Sequence, residues 1–376
     1  MPPITEAALS VISSTVLWST FVLAFVFGAV AQRTGYCTMG AVADLVTFGD
    51  ATRLRVGLLA MAVAIVGTQG LSASGLIDPG QSIYTGPRLT LLAYVVGGLM
   101  FGFGMVLAGG CGSRTLVRLG GGSLKSLVVF VVLGVTAFVT LRGVLAVFRV
   151  NVIEPVGVQL GARQDLPALL AQAGGVSLPA AHLLAGVVVA AALLAYVLRD
   201  AAFRTHENLL AGAAIGAVIA GVWYVSGSIG FIEEHPRTLE PTFVATASGR
   251  MESLTFVAPT AHTLDLLMFW SDASKLLTLG VAGVLGIVAG SGVASIAAGR
   301  FRWEGFRDTE DTANHIAGGL LMGFGGVTAL GCTIGQGLTG VSTLSIGSFI
   351  AIGAIAAGAV FGVKWQAWRV ERTAET

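Results

Sequence analysis

Charge is scarce in this sequence: charged side chains make up 11% of its 376 residues, against about 25% in a typical soluble domain. That scarcity excludes a water-facing surface for most of the chain. Cysteine is scarcer still, at Cys37, Cys111 and Cys332. An odd, sparse count with no CxxC spacing excludes a disulfide framework and a zinc site. The five histidines stand apart from the cysteines in sequence, so no Cys-His pair is spelled out. No GxxxxGK[ST] phrase occurs, which excludes a P-loop ATP site. A net charge of +1 leaves no basic footprint for nucleic acid. No cofactor-binding motif is evident. What the chain has in excess is apolar: 55% hydrophobic residues, a mean hydropathy of +0.84 and 53 glycines. A soluble protein cannot bury that much, so the sequence reads as a polytopic membrane protein. The glycines suit close helix contacts and broken helices in lipid.

A span needs about 20 apolar residues. Nine stretches qualify, at roughly 7–31, 56–76, 89–109, 124–147, 180–198, 208–230, 276–299, 315–331 and 344–363. The first is too long for a signal h-region and lacks a basic start, so it reads as a span. A tenth stretch, Ser253–Trp270, is broken by Pro259, His262 and Asp265 and reads as re-entrant or interfacial. Basic residues gather in alternate connections. Arg33, Arg53 and Arg55 come first, then Arg114, Arg118 and Lys125, Arg199 and Arg204, Arg300, Arg302 and Arg307, and finally Lys364, Arg369 and Arg372. The other connections are longer and poorer, holding Arg88, Arg149, Arg163, Arg237 and Arg250. The positive-inside rule then places the N-terminus outside and the C-terminus in the cytoplasm. Trp303, Trp365 and Trp368 fit interfacial anchors at cytoplasmic ends.

One phrase is written twice. GFGMVLAGGCGSRT at 102–115 returns as GFGGVTALGCTIGQ at 323–336. Gly97, Gly98, Leu99, Gly102, Phe103, Gly104, Val106, Ala108, Gly110 and Cys111 recur as Gly318, Gly319, Leu320, Gly323, Phe324, Gly325, Val327, Ala329, Gly331 and Cys332, at one offset without gaps. Asp50-Ala-Thr-Arg-Leu54 similarly resembles Asp272-Ala-Ser-Lys-Leu276, and Gly28-Ala-Val resembles Gly216-Ala-Val. The two cysteine phrases follow spans of opposite direction, the mark of an inverted-topology repeat. The expected organisation is a first repeat over 1–147, an outer loop and connecting fifth span over 148–205, and a second repeat over 206–376. On this alignment Cys37 falls opposite Pro259-Thr260 and has no cysteine twin.

A helix cannot continue cheaply through Ala108-Gly-Gly-Cys-Gly-Ser113, because each interior glycine costs about 1 kcal/mol relative to alanine. Gly112–Gly122 and Thr333–Gly340 therefore read as short half-helices or loops dipping inward, with Ser123 and Ser342-Thr343 placed to cap the helices that follow. Free backbone N–H groups at such breaks can receive an anion. The spans carry almost no ionisable side chain; Arg142 lies near an end. An anion would thus be held by backbone N–H, hydroxyls, the Gln336 amide and thiols, with Arg114 and Arg118 at the cytoplasmic mouth. Simple alternatives stand beside these readings: glycines as packing, cysteines as small buried residues, arginines as positive-inside anchors, Glu233-Glu234-His235 and Asp44 with Asp50 as solvated loop groups. Three thiols along one path would suit a soft sulfur-bearing anion better than hard phosphate, although spacing alone does not establish it.

GCGSRTLVRLGGGS, GCTIGQGLTGVSTLSIGS, SLTFVAP and the RTGYCTMGA stretch around Cys37 resemble the YeeE/YedE family of bacterial membrane proteins. The likeness covers most of the chain and is strongest at 97–127 and 315–358. It implies an all-α fold of nine transmembrane helices in two inverted pseudo-twofold repeats with short re-entrant helices. It also implies thiosulfate uptake across the cytoplasmic membrane for sulfur assimilation. The family's functional cysteines fall on Cys37, Cys111 and Cys332, which would pass the anion along by S–H contacts. Around them Gly110, Gly112, Ser113, Gly331, Thr333 and Gln336 complete the expected path, with Arg114 attracting the anion. The resemblance further implies a small sulfur-carrier partner of the TusA type. A permease for another sulfur or selenium species, or a membrane sulfurtransferase forming cysteine persulfides, stays open at this point.

Overall fold

A computed structural model describes residues 6–236, 238–272 and 276–374. Arg237 and residues 273–275 of the second Asp-Ala-Ser-Lys-Leu phrase lie outside the described residues. Fourteen helices follow in order: α1 (Glu6–Thr34), α2 (Thr38–Phe48), α3 (Thr52–Ala73), α4 (Leu91–Leu107), α5 (Gly112–Gly120), α6 (Leu124–Arg142), α7 (Val144–Phe148), α8 (Leu166–Gly174), α9 (Leu178–Leu198), α10 (His206–Tyr224), α11 (Ala258–Met268), α12 (Leu279–Ala297), α13 (Thr309–Thr328) and α14 (Ile346–Ala374). Two antiparallel ribbons tie the loops, Arg88–Leu89 with Val158–Gln159 and Phe231–Ile232 with Thr242–Phe243.

Each of the nine expected spans is a helix. Among the described residues eight segments are long and apolar enough to cross a membrane. The exception is α13, whose first turn carries Glu310 and Asp311 and starts at N-cap Asp308, which accepts from Asp311 N at 2.7 Å. Large side chains such as Trp18, Val187, Leu210, Ile296 and Phe361 stay exposed. Such an apolar exterior belongs against lipid, since water tolerates no apolar patch of that extent. The chain is a multi-pass membrane protein.

The first break follows a short helix. At 1.5 Å per residue, the 29 residues of α1 reach about 44 Å, whereas the 17 of α4 reach about 26 Å, short of a ~30 Å hydrocarbon core. The chain completes that crossing through the turn at Ala108–Cys111 and the short helix α5. Ser123 then caps α6, its Oγ accepting from Ser126 N at 3.4 Å. Ser342 and Thr343 do not cap α14 as expected: their hydroxyls donate back to the carbonyls of Thr339 and Gly340, both at 2.7 Å, and α14 starts at Ile346. The segment Ser253–Trp270 is an extended run followed by α11.

Packing comes in matched pairs. Helix α1 lies on α12 as α10 lies on α3, α4 lies on α14 as α13 lies on α6, and α4 crosses α13 at the centre. Glycine makes the central crossing possible. A Cβ on Gly318 would stand 2.6 Å from Ala108 N and Gly104 O; one on Gly97 would stand 2.6 Å from Ala329 N and 2.7 Å from Gly325 O. The backbones touch there. Backbone bends match as well: Gly109 and Leu330 both adopt positive φ (65° and 59°), as do Gly122 and Leu344 (98° and 58°). The first member of each pair is glycine, where left-handed φ is cheap; the second is leucine, where it costs roughly 1–2 kcal/mol. The alignment of Cys37 with Pro259 shifts by two residues, because the N-cap of α2 is Cys37 and that of α11 is Val257.

Candidate functional site

The short helices meet at the middle of the bundle. Cys37 is the N-cap of α2, and its sulfur accepts from Gly40 N at 3.3 Å. Cys111 is the N-cap of α5, with Sγ 3.3 Å from Ser113 Oγ. Cys332 opens the turn leading into the wide helical stretch Gly335–Gly340, and its sulfur accepts from Gly335 N at 3.4 Å. The three thiols form one cluster: Cys37 neighbours Cys111, which adjoins Thr333 and faces Cys332. They are 7%, 1% and 0% exposed, and none is in a disulfide. The doubled phrase predicted breaks at Cys111 and Cys332, the resemblance added Cys37, and the folded chain brings all three cysteines together.

Polar groups around the thiols are left without partners. Gln336 Oε1 and Arg114 Nη1 are buried and make no hydrogen bond, while the Thr333 hydroxyl lies against the Cys111 thiol. Leaving one such group unpaired costs about 1–3 kcal/mol. The Gln336 amide is held at its other end, Nε2 donating to Ala329 O. Gly331 packs against Gln336 and Gly110 against Arg114, so larger residues at either glycine would displace those side chains. Gly112 faces Phe256 at ordinary contact distance. The largely buried Arg114 guanidinium is close enough to Cys37 and Cys111 to interact with their charge. Arg118 instead donates to Gly109 O at 3.0 Å and holds the turn. Asp44 pairs with Arg53 at 3.3 Å, and Asp50 caps the first turn of α3 through Thr52 N at 2.8 Å. Among the described residues no group of three His, Cys, Asp or Glu is arranged to hold a metal.

Two cavities approach the thiols. One of about 390 Å³ is lined by Tyr36, Cys37, Thr38, Arg53, Met105 and Thr333. The other, about 310 Å³, opens at the loop-rich face beside Tyr84, Thr255 and Gly331. Cys111 and Cys332 line neither, but Cys332 lies between Gly331 of one wall and Thr333 of the other. Aromatic rings surround these thiols, with Phe27 edge-on to Tyr36 (6.3 Å) and tilted against Phe256 (6.1 Å). Tyr36, Tyr84 and Phe256 were not singled out in the sequence. Their signal was weak, because they lie in loops or at loop ends with no periodicity. A buried chain of hydrogen bonds braces the second dip: His182 Nδ1 to Gln69 Oε1 (2.6 Å), Gln69 Nε2 to Ser342 O (2.7 Å) and Trp223 Nε1 to Ser342 Oγ (2.9 Å).

Comparison with known proteins agrees with this architecture. The profile of the family described as sulphur transport matches residues 33–361, which include all three cysteines. The chain belongs to the sulphur-transport family. A relative in Spirochaeta thermophila, thiosulfate transporter TsuA, is 29% identical over 348 residues, covering 89% of this chain and 94% of the relative. The thiosulfate transporter TsuA of Escherichia coli is 28% identical, covering 86% and 87%. A shorter match, 34% over 92 residues, links 24% of the chain to 21% of the probable transporter YedE of Salmonella typhimurium. These relatives are named as transporters.

Proposed function

We propose that the chain carries thiosulfate across the cytoplasmic membrane through the thiol cluster. The burial of Cys111 and Cys332 carries this reading. A sulfurtransferase has to present its thiol to a protein acceptor. A thiol buried between two cavities serves passage instead. Cys37, Cys111 and Cys332 donate in turn to the soft anion, helped by Ser113, Thr333 and Gln336. Gly110, Gly112 and Gly331 keep the path narrow without filling it. Arg114 and the N-terminal turns of α2 and α5 offset the charge.

The positive-inside rule puts the arginine-rich face in the cytoplasm and the N-terminus outside. The matched helix pairs and the matched left-handed bends support reading 1–147 and 206–376 as inverted halves joined through 148–205. A small sulfur carrier of the TusA type is the natural consumer of the delivered sulfur on the cytoplasmic side.

The test is uptake of radiolabelled thiosulfate into proteoliposomes by wild type, Cys37→Ala, Cys111→Ala and Cys332→Ala. Loss of one transition-limiting contact worth about 1.4 kcal/mol lowers the rate about tenfold, so each variant should fall at least that far. Uptake indifferent to all three changes would leave the transport and remove the thiol path. Folded wild type without thiosulfate uptake would overturn the substrate.

A further inference from the structure

The loop-face cavity holds a group that the anion path does not explain. Glu252 stands in its wall with Arg142, Arg149 and His262. A carboxylate is a poor neighbour for an incoming dianion, so its setting matters. Glu252 Oε1 accepts from Ser248 N at 2.8 Å and from the Ser248 hydroxyl. Arg149, the cation of the same wall, pairs with Glu154 at 2.6 Å rather than with Glu252. The backbone is anchored, with Ser226 Oγ donating to Glu252 O, so the side chain cannot swing away with the loop.

The ionisable groups around it come from every neighbouring element. They are Tyr84 from the loop before α4, Arg142 at the end of α6, Arg149 in the turn after α7, and His262 on α11. From α12 and α13 the wall is Gly280, Gly326 and Val327, which carry no charge. Burial pushes the Glu252 carboxyl above the usual carboxylate range, although the Ser248 hydroxyl and the amides of Ser248 and Ala247 pull the other way.

We propose that Glu252 is a proton site coupled to the anion, so that loading thiosulfate into the loop-face cavity takes up a proton there. The inference rests on the transport reading above and adds the coupled ion. Its physical basis is reciprocity. A dianion in a cavity of about 310 Å³ sits within a few ångströms of every wall group. It raises the proton affinity of Glu252, and a protonated Glu252 must then raise the affinity for the anion by the same factor. A neutral carboxyl is also a hydrogen-bond donor, which a carboxylate is not. If the loaded anion makes the carboxyl hold its proton about tenfold more tightly, the protonated protein holds the anion about tenfold more tightly in return. Thiosulfate itself stays a dianion across the relevant range, so its own titration does not confuse the result.

The experiment adds thiosulfate to purified full-length protein in weakly buffered detergent solution and reads proton uptake with a pH indicator, alongside the Kd at about pH 5.5 and about pH 8. Wild type should take up protons on binding and bind more tightly at the acid pH, by up to about tenfold. Glu252→Gln, which fixes the neutral form, should take up fewer protons and lose part of the pH dependence, and adding His262→Gln, which removes the imidazole of the same wall, should abolish what remains. Glu252→Asp keeps a titratable group and should still take up protons, which covers failure of the glutamine variant to fold. Binding by wild type without proton uptake overturns the proposal, as does undiminished uptake in Glu252→Gln. Absence of thiosulfate binding at either pH would instead overturn the transport reading on which it stands.

Discussion

Replacing Gly318 by alanine adds one carbon at the close crossing of α4 and α13. The new Cβ would meet Ala108 N and Gly104 O at 2.6 Å and Ala108 Cβ at 2.8 Å. Two of these are backbone atoms, so no side chain can rotate out of the way. Ordinary contact begins near 3.4 Å, so α13 and α4 have to part by roughly 0.8 Å along their crossing. Overpacking of this kind costs about 1–3 kcal/mol. The intrinsic gain of alanine over glycine in a helix, about 1 kcal/mol, offsets part of that. The net expectation is a loss of up to about 2 kcal/mol, seen as a lowered melting temperature of detergent-purified protein. Gly353→Ala in α14 is the matched control, since nothing lies within 4 Å of its Cβ position. It should raise stability by up to about 1 kcal/mol. If Gly318→Ala melted at or above wild type while Gly353→Ala behaved as stated, the close crossing of α4 and α13 would be wrong.

Two further outcomes follow from local chemistry. Burial pushes the Asp311 carboxyl up, yet hydrogen bonds from Lys125 Nζ (2.7 Å) and Arg307 N (3.1 Å) outweigh it and hold it below the usual carboxylate range. A depressed acid stabilises the fold above its unfolded pKa and loses that contribution as pH falls through the folded value. The melting temperature should therefore drop below about pH 4, less steeply in Lys125→Met. Leu330→Gly should stay within about 1 kcal/mol of wild type, because relief of left-handed strain compensates a partly exposed side chain. Leu344→Gly, whose side chain is 0% exposed, should cost about 2–4 kcal/mol by chemical denaturation despite the same relief.

Much of this arrangement was legible in the residues. Long apolar runs and alternating arginines mark the nine helices, since lipid leaves the backbone no other option. The doubled glycine–cysteine phrase marks two breaks, and its rarity makes the thiols stand out. Cys37 required the resemblance to be grouped with them, because its position on α2 has no cysteine twin. The walls were less visible. Tyr84 lies in the loop between α3 and α4, and Glu252 before α11, in stretches without periodicity; their importance comes from where the loops fold back. Ser342 and Thr343 misled for a related reason. A hydroxyl before an apolar run suits a helix cap, but the network from His182 through Gln69 and the Trp223 indole claim Ser342 first.

The left-handed bends also bear on how the two halves have diverged. Leu330 and Leu344 keep backbone conformations that Gly109 and Gly122 adopt without strain. The same left-handed bend is made once with glycine and once with leucine, so the two places share a backbone shape and not a residue. The geometry at the thiol cluster is thus a property of backbone shape held from both sides. It follows that the two halves can drift in composition while the thiol cluster keeps the same shape. The selectivity of that cluster for a slender anion would then outlast most changes of sequence around it.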